Sequence, residues 1–486
     1  MSSKENPRIR LERNEDGKLQ VVGKRLENTK AFAAAFLPFI EEIGNILTNE
    51  YPDDNRVAMK LLQIMQLDGD YTIGEAAAAA LSDPDAKRAE MPRAMQETLG
   101  KGILWYESFG PENDLRLLVR KLLLLKQGGG AARKNVEQLV GNAKKIIDEM
   151  KESGTHADVD IVWTNARLAN LNLLFADGQF TPEEMRQLFD RAEWGFDHLL
   201  QTQLWHSVLS KVPGMGARIR FPGKKKMQHI VKGTLKKMTS SYDIAKVREL
   251  MQDNDPRQTD IPFLLLLAEG LRGKLSEHAK KNLPLHHRDV IEHTTGNILQ
   301  TLFAATETSF AEIKRMMIKL QDPKLFAQLK AEALAALPNG LASITPETLM
   351  RGDLFPKLVA EIHDSFRNPP TPLDQRVNVD PETGEESTTY IGLQAMTENA
   401  YRQQVYTTFS QLVRGEWFAN VNKLSTPDKK YSNPRDCPGA TWAITEIMCT
   451  ILAILLETNG VRLANKPVEF KGVTSTPRNV NVQFIS

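Results

Sequence analysis

Along most of this chain, apolar positions recur every three or four residues, the spacing that builds one stripe along an α-helix. It predicts helices over Leu115–Leu125, Ala132–Met150, Val159–Ala176, Thr181–Leu200, Val290–Lys319, Pro323–Leu337 and Ala440–Thr458. Strand-like alternation is confined to short pieces: Leu19–Val22, Val377–Val379 with Tyr390–Ile391, and Val468–Ile485. The pattern is that of a mainly α protein with small β-sheets, and no internal repeat interrupts it. Pro and Gly cluster at Val212–Gly223, Asn368–Pro372 and Asp380–Thr383, but no cluster is long or polar enough for a linker. Residues 1–486 are therefore expected to form a single domain, although length alone would favour about three.

Composition narrows the class. The longest apolar runs, Ala31–Ile40, Phe263–Ala268 and Ile447–Leu456, fall well short of the roughly 18 residues of a spanning helix, so no membrane span is expected. The charged stretch Met1 to Arg13 lacks a signal-peptide core. A net charge of +1 gives no reason to expect a nucleic-acid partner. The only cysteines are Cys437 and Cys449, too few for a disulfide framework. Together these lead to the expectation of a soluble, cytoplasmic protein.

Three stretches carry candidate chemistry. Cys437 lies in Asn433-Pro434-Arg435-Asp436-Cys437-Pro438-Gly439, just ahead of the apolar helix that starts near Ala440. A helix N-terminus and a nearby cation both favour thiolate over thiol, and a thiolate is a metal ligand. The second stretch, Leu302-Phe303-Ala304-Ala305-Thr306-Glu307-Thr308-Ser309, falls in the middle of the long Val290–Lys319 pattern. Its small residues allow close approach to the backbone. Thr308 can bond back to a carbonyl one turn earlier and bend the helix, and a carboxylate beside a hydroxyl can relay protons. The third, Asp364-Ser365-Phe366-Arg367, puts an acid and an arginine on one helix face, ahead of Pro369, Pro370, Pro372 and Arg376. Taken singly, each has a plainer reading: a packed cysteine, a polar helix face, a surface ion pair.

Together, and in this order, the three resemble the cytochrome P450 family. Its central-helix motif Ala-Gly-X-Asp/Glu-Thr is similar to Ala304-Ala305-Thr306-Glu307-Thr308. Its Glu-X-X-Arg is similar to Asp364 through Arg367, and its Arg-X-Cys-X-Gly loop to Arg435 through Gly439, with Ala443 and Glu446 in the helix that follows. Weaker likeness extends over nearly the whole chain. Tyr71–Pro84 resembles the second helix of the family, Arg116 and Arg120 a Trp-X-X-X-Arg element, Asp158–Phe175 the fifth helix, and Lys471–Phe484 the C-terminal hairpin. There are departures: Lys430 and Asn433 replace an aromatic and a glycine before the cysteine, Arg116 replaces a tryptophan, and Asp364 replaces glutamate.

The resemblance implies a P450-like haem-thiolate fold and a monooxygenase that oxidises a small organic substrate with dioxygen and two externally supplied electrons. Cys437 would be the metal ligand. Haem b is the expected cofactor, because no Cys-X-X-Cys-His attachment motif occurs. Arg120, Arg376 and Arg435 would hold its propionates, Ala304 and Ala305 would lie against it, and Asp364 with Arg367 would form a structural ion pair. Glu307 and Thr308 would be catalytic, delivering protons. Substrate contacts would come from Ile103–Phe109, the helix around Phe303, Thr371–Leu373 and Val473–Thr476. The electron-transfer partner would be a ferredoxin or a flavin reductase. The alternatives are an isomerase or dehydratase acting on a hydroperoxide, and a haem-binding protein without turnover. Of the remaining features, His286, His287 and His293 have no zinc-site spacing and are expected at a solvated helix start. The basic run Lys224–Lys226 with Lys232, Lys236 and Lys237 suggests a docking or membrane-surface stripe, with a solvated helix face the default and a lid beside the substrate entrance implied by the resemblance, and Cys449 is expected to be packing.

Overall fold

The computed structural model describes residues 10–13, 19–22, 70–72, 87–88, 99–103, 106, 110–127, 130–197, 223–252, 261–349, 351–365, 373–379, 383–384, 386–392, 439–464, 468–471 and 476–486. In chain order the strands are β1 Arg10–Arg13, β2 Leu19–Val22, β3 Asp70–Thr72, β4 Lys87–Arg88, β5 Ala157–Asp158, β6 Leu373–Val379, β7 Glu386–Gly392, β8 Gly460–Leu463, β9 Glu469–Lys471, β10 Thr476–Arg478 and β11 Asn481–Ile485. The helices are α1 Gly110–Gln127, α2 Gly130–Ser153, α3 Val159–Ala176, α4 Pro182–Asp197, α5 Lys224–Ser241, α6 Ile244–Gln252, α7 Phe263–Ala279, α8 Arg288–Phe303, α9 Ser309–Lys319, α10 Pro323–Ala336, α11 Pro346–Leu349, α12 Pro356–Ser365 and α13 Ala440–Glu457.

Local chemistry explains the boundaries of the central elements. Asp158 caps α3 by accepting from the Asp160 amide, and Asp177 closes it in the left-handed region at φ 49°. Asp322 caps α10, with Pro323 at its first position. His287 caps α8 through Nδ1, which accepts from the Asp289 amide at 3.3 Å. α13 is apolar almost all round, as a helix enclosed on every side must be. It packs on α2, α9 and α10, while α8 packs on α4, α5 and α7. The buried side chains of these helices form one contiguous core.

The strands form small sheets. One has the order β3-β7-β6-β4, with β3 parallel to β7 and the other pairs antiparallel. Its register sets Arg376 of β6 opposite Thr389 of β7 and Arg88 of β4. A second has the order β5-β11-β8, and β1-β2 and β9-β10 are two-stranded. The expected strands Leu19–Val22, Val377–Val379 and Tyr390–Ile391 all occur in these sheets. The helical reading of Tyr71–Pro84 is corrected at its start. Tyr71 and Thr72 are extended and hydrogen-bond to β7, a non-local partner that outweighs local preference. Residues 73–84 lie outside the described residues. Among the described residues, no helix is long and apolar enough to cross a membrane.

Candidate functional site

The helix expected over Val290–Lys319 is present but not uniform. α8 and α9 are joined by Ala304–Thr308, five residues wound as a wide π-turn. Such a turn breaks the regular ladder and leaves main-chain carbonyls that need donors from elsewhere. A distortion was expected here from Thr308 bonding back, and its side chain lies outside the described set; the hydroxyl seen to bond back is that of Thr306, its Oγ1 donating to the Leu302 carbonyl at 2.5 Å. The backbones of Glu307 and Thr308 lie in the same turn; their side chains are outside the described set.

The missing donors come from α3. Arg167 donates through Nη1 to the Thr306 carbonyl at 2.9 Å and through Nη2 to the Ala305 carbonyl at 2.6 Å. The other edge of its guanidinium grips Glu446 of α13, Nε to Oε1 at 2.7 Å and Nη2 to Oε2 at 2.8 Å. Ser309 accepts from Nη2 at 2.7 Å, and its hydroxyl is 2.8 Å from Glu446 Oε2 and 2.5 Å from the Ala305 carbonyl. Phe310 lies against the guanidinium, with Cζ 4.7 Å from the ring centroid. Arg167, Glu446 and Ser309 are all buried, so these are charge-assisted bonds in a poorly screened setting. A planar fork of five N–H groups can serve both oxygens of a carboxylate and two carbonyls at once. A cavity of about 170 Å³ borders the same turn, lined by Asp160, Thr164, Arg167, Thr306, Phe310 and Arg478. Lys314 closes one end of the cluster, donating to Asp160 Oδ1 at 2.6 Å.

One turn to three turns earlier on the central helix, a second buried cluster anchors the segment ahead of α1. Asn297 accepts from the Ile103 amide at 2.8 Å and donates to the Tyr106 hydroxyl oxygen at 3.1 Å. The Tyr106 hydroxyl is 2.7 Å from His293 Nδ1, and Gln300 donates to the Gly100 carbonyl at 3.0 Å. Gly296 makes this docking possible: a Cβ there would collide with the Lys101 carbonyl. Burial, helped by Lys101, pushes His293 down to about 4, so the imidazole is neutral at pH 7 and can accept a hydrogen bond from the Tyr106 hydroxyl. His293 is therefore not at a solvated helix start. Glu292 beside it is held below the usual carboxylate range: burial would raise it, but the hydrogen bond and charge of Lys224 win, at 2.9 Å.

Arg116 and Arg120 are both on α1, the first buried and the second half-buried. Ala304 and Ala305 are half-buried in the π-turn. Asp364 lies at the end of α12 and Arg376 on β6, with side chains outside the described set. Arg367, Arg435 and Cys437 lie outside the described residues. Cys449 is fully buried on α13, and burial drives its thiol far above its ordinary range, which makes it packing. Among the described residues, no cluster of His, Cys, Asp or Glu is arranged to hold a metal ion. Sequence reasoning missed Arg167 and Ser309. The available signal was Arg167 as the single charged residue in the run from Val162 to Leu174.

No family model and no curated protein matches the chain. Solved structures do match, and they show the fold. A cytochrome P450 crystal structure is similar at 14% identity and TM-score 0.53, over 89% of this chain and 98% of that one. The haem domain of cytochrome P450DA is similar at 16% identity and TM-score 0.55, over 90% and 94%. A zebrafish cytochrome P450 determined with progesterone is similar at 13% and 0.56, over 86% and 93%. The chain has the cytochrome P450 fold, in a divergent version.

Proposed function

We propose that residues 1–486 form one haem domain and act as a haem-thiolate monooxygenase on a small organic substrate. The observation that carries this is the wide turn Ala304–Thr308. It interrupts the central helix at the acid–hydroxyl pair and is tied through Arg167 to the helix that begins three residues after Cys437. The described residues fit a flat, doubly anionic group. No side chain larger than a methyl projects from Ala304 or Ala305, and a Cβ on Gly439, at the head of α13, would meet none of the described atoms. Arg120 on α1 and Arg376 on β6 supply cations suited to carboxylates.

In this reading Cys437 holds haem b as its thiolate, and Arg120, Arg376 and Arg435 hold the propionates. Bound through sulfur, haem supplies dioxygen activation, because thiolate donation favours O–O cleavage. The protein supplies position and protons. Glu307 and Thr308 pass protons inward from solvent, with Thr308 holding the last one at its Oγ1. Asp364 and Arg367 form a buried pair that braces the segment leading to Arg376. Two electrons come from a ferredoxin or a flavin reductase. The test is product formation under three conditions: reductase with dioxygen, hydroperoxide alone, and neither. Turnover only with reductase and dioxygen supports the proposal. Turnover of a hydroperoxide without electrons would make the chain an isomerase or dehydratase, and no turnover with haem bound would leave a binding protein.

A further inference from the structure

The wide turn is not held by its own helix alone: the Ser309 hydroxyl and amide reach the Ala305 and Thr306 carbonyls, and a further donor comes from outside. A π-turn is less favourable than the α-helix on either side of it, and the regular ladder would re-form unless something outside occupied the displaced carbonyls. Here the donor from outside the helix is one side chain of α3. Arg167 takes the Ala305 and Thr306 carbonyls with one edge and Glu446 with the other. Both charges are almost fully buried, with side chains 4% exposed each, so they neutralise one another without help from solvent. Ser309 lies within 2.8 Å of Glu446 and hydrogen-bonds to the guanidinium, closing the loop on the first residue after the turn. Phe310 blocks one face of the guanidinium and fixes its plane. The result is a rigid link from α3, through the turn, to α13, whose first residue follows Cys437 by three.

We propose that Arg167 is a positioning residue. It keeps Ala304–Thr308 in the wide form and sets that turn at a fixed distance from the helix after Cys437, so that Glu307 and Thr308 stay in register with the thiolate ligand. The half of this that concerns chemistry rests on the proposed monooxygenase reading; the half that concerns the turn does not. Lysine does not replace it, since three tetrahedral N–H groups cannot serve both Glu446 oxygens and two carbonyls in one plane. The cavity beside Thr306 gives water a route to the outer side of the turn, so a variant lacking the guanidinium is hydrated there and does not have to collapse.

The experiment is amide hydrogen exchange by mass spectrometry on the full-length protein and on Arg167→Lys, paired with electron-to-product coupling after haem loading. In Arg167→Lys, exchange over residues 304–310 should rise about tenfold or more, while peptides from α1, α7 and α10 keep their wild-type rates. Coupling should fall with little change in KM. If Arg167→Lys does not fold, Ser309→Ala replaces it, since it keeps both charges and removes only the bridging hydroxyl; a smaller rise confined to the same peptide is expected. Unchanged exchange at the turn, or an equal rise throughout the molecule, overturns the proposal. A local rise with normal coupling and an intact thiolate spectrum overturns its chemical half alone. A protein that fails to bind haem through Cys437 would defeat the monooxygenase reading, and the exchange rates at the turn would still decide whether Arg167 holds it.

Discussion

Replacing Arg167 and Glu446 with methionine, singly and together, separates two roles that the structure combines in one guanidinium. Arg167→Met strands the Glu446 carboxylate in a site where, among the described residues, the Ser309 hydroxyl is the donor that remains to it. Glu446→Met strands the guanidinium. Removing one partner of a buried pair costs about 3–5 kcal/mol, so the two singles should sum to about 6–10 kcal/mol. In the double variant both charges are gone, and a pair replaced by packed apolar groups is often neutral. Two carbonyls nevertheless lose the guanidinium as a donor. Ser309 can turn its hydroxyl fully to Ala305, 2.5 Å away, and the Thr306 carbonyl keeps the Ser309 amide but loses its bond from the charged donor. Losing a buried hydrogen bond from a charged donor costs about 1.5–3 kcal/mol, and the adjoining cavity favours the low end by admitting water. The double variant should therefore lie about 1.5–3 kcal/mol below wild type, with several kcal/mol of coupling between the sites. Equilibrium guanidinium unfolding of the four proteins, at pH 7, measures this. A double variant within about 0.5 kcal/mol of wild type would reduce Arg167 to a counter-ion for Glu446, and a double variant equal to the sum of the singles would deny that they act as a unit.

Three further expectations can be checked. His293 is held at about 4 by burial and Lys101, with Lys224 acting in the same direction, Glu292 and Asp289 opposing, and Tyr106 on its Nδ1. A folded-state value below the unfolded value of about 6.5 means that its contribution is complete above pH 6.5 and is lost as pH falls toward 4, about 3 kcal/mol in all. Urea unfolding at pH 7, 6 and 5 should show that slope in wild type and much less of it in His293→Gln; equal slopes would contradict the assignment. Gly296→Ala drives a methyl into the Lys101 carbonyl, so the segment from Leu99 to Tyr106 should be cleaved faster in limited proteolysis, and an unchanged cleavage pattern would refute the close packing. Thr308→Ala should divert electrons from product to released hydrogen peroxide, and unchanged coupling would remove Thr308 from the proton path.

Much of this architecture is legible in the sequence where an element carries its own signals. α3 matches the expected Val159–Ala176, because an aspartate cap precedes a clear apolar period. α13 is as evident, since an apolar segment of this length bounded by Gly439 and Thr458 leaves few alternatives. α7 is different: Phe263–Ala268 is a continuous apolar run without a period, so its extension to Ala279 is not apparent from spacing. The wide turn is legible only indirectly. A π-turn uses the same residue types as an α-turn, and what marked the place was the cluster of small, acidic and hydroxyl residues. Arg167 and Glu446 are 279 positions apart, and nothing local to either names the other. The docking of Tyr106 onto His293 depends likewise on a glycine whose role appears only when two backbones meet.

The central claim is sulfur ligation of a haem iron by Cys437. The most direct test is the absorption spectrum of the haem-loaded, dithionite-reduced protein under carbon monoxide. The account predicts a Soret band near ~450 nm, from thiolate donation, that is lost in Cys437→Ser and retained in Cys449→Ser. A band near that of imidazole-ligated haem in the wild-type protein, or a thiolate-type band that survives Cys437→Ser, would contradict it.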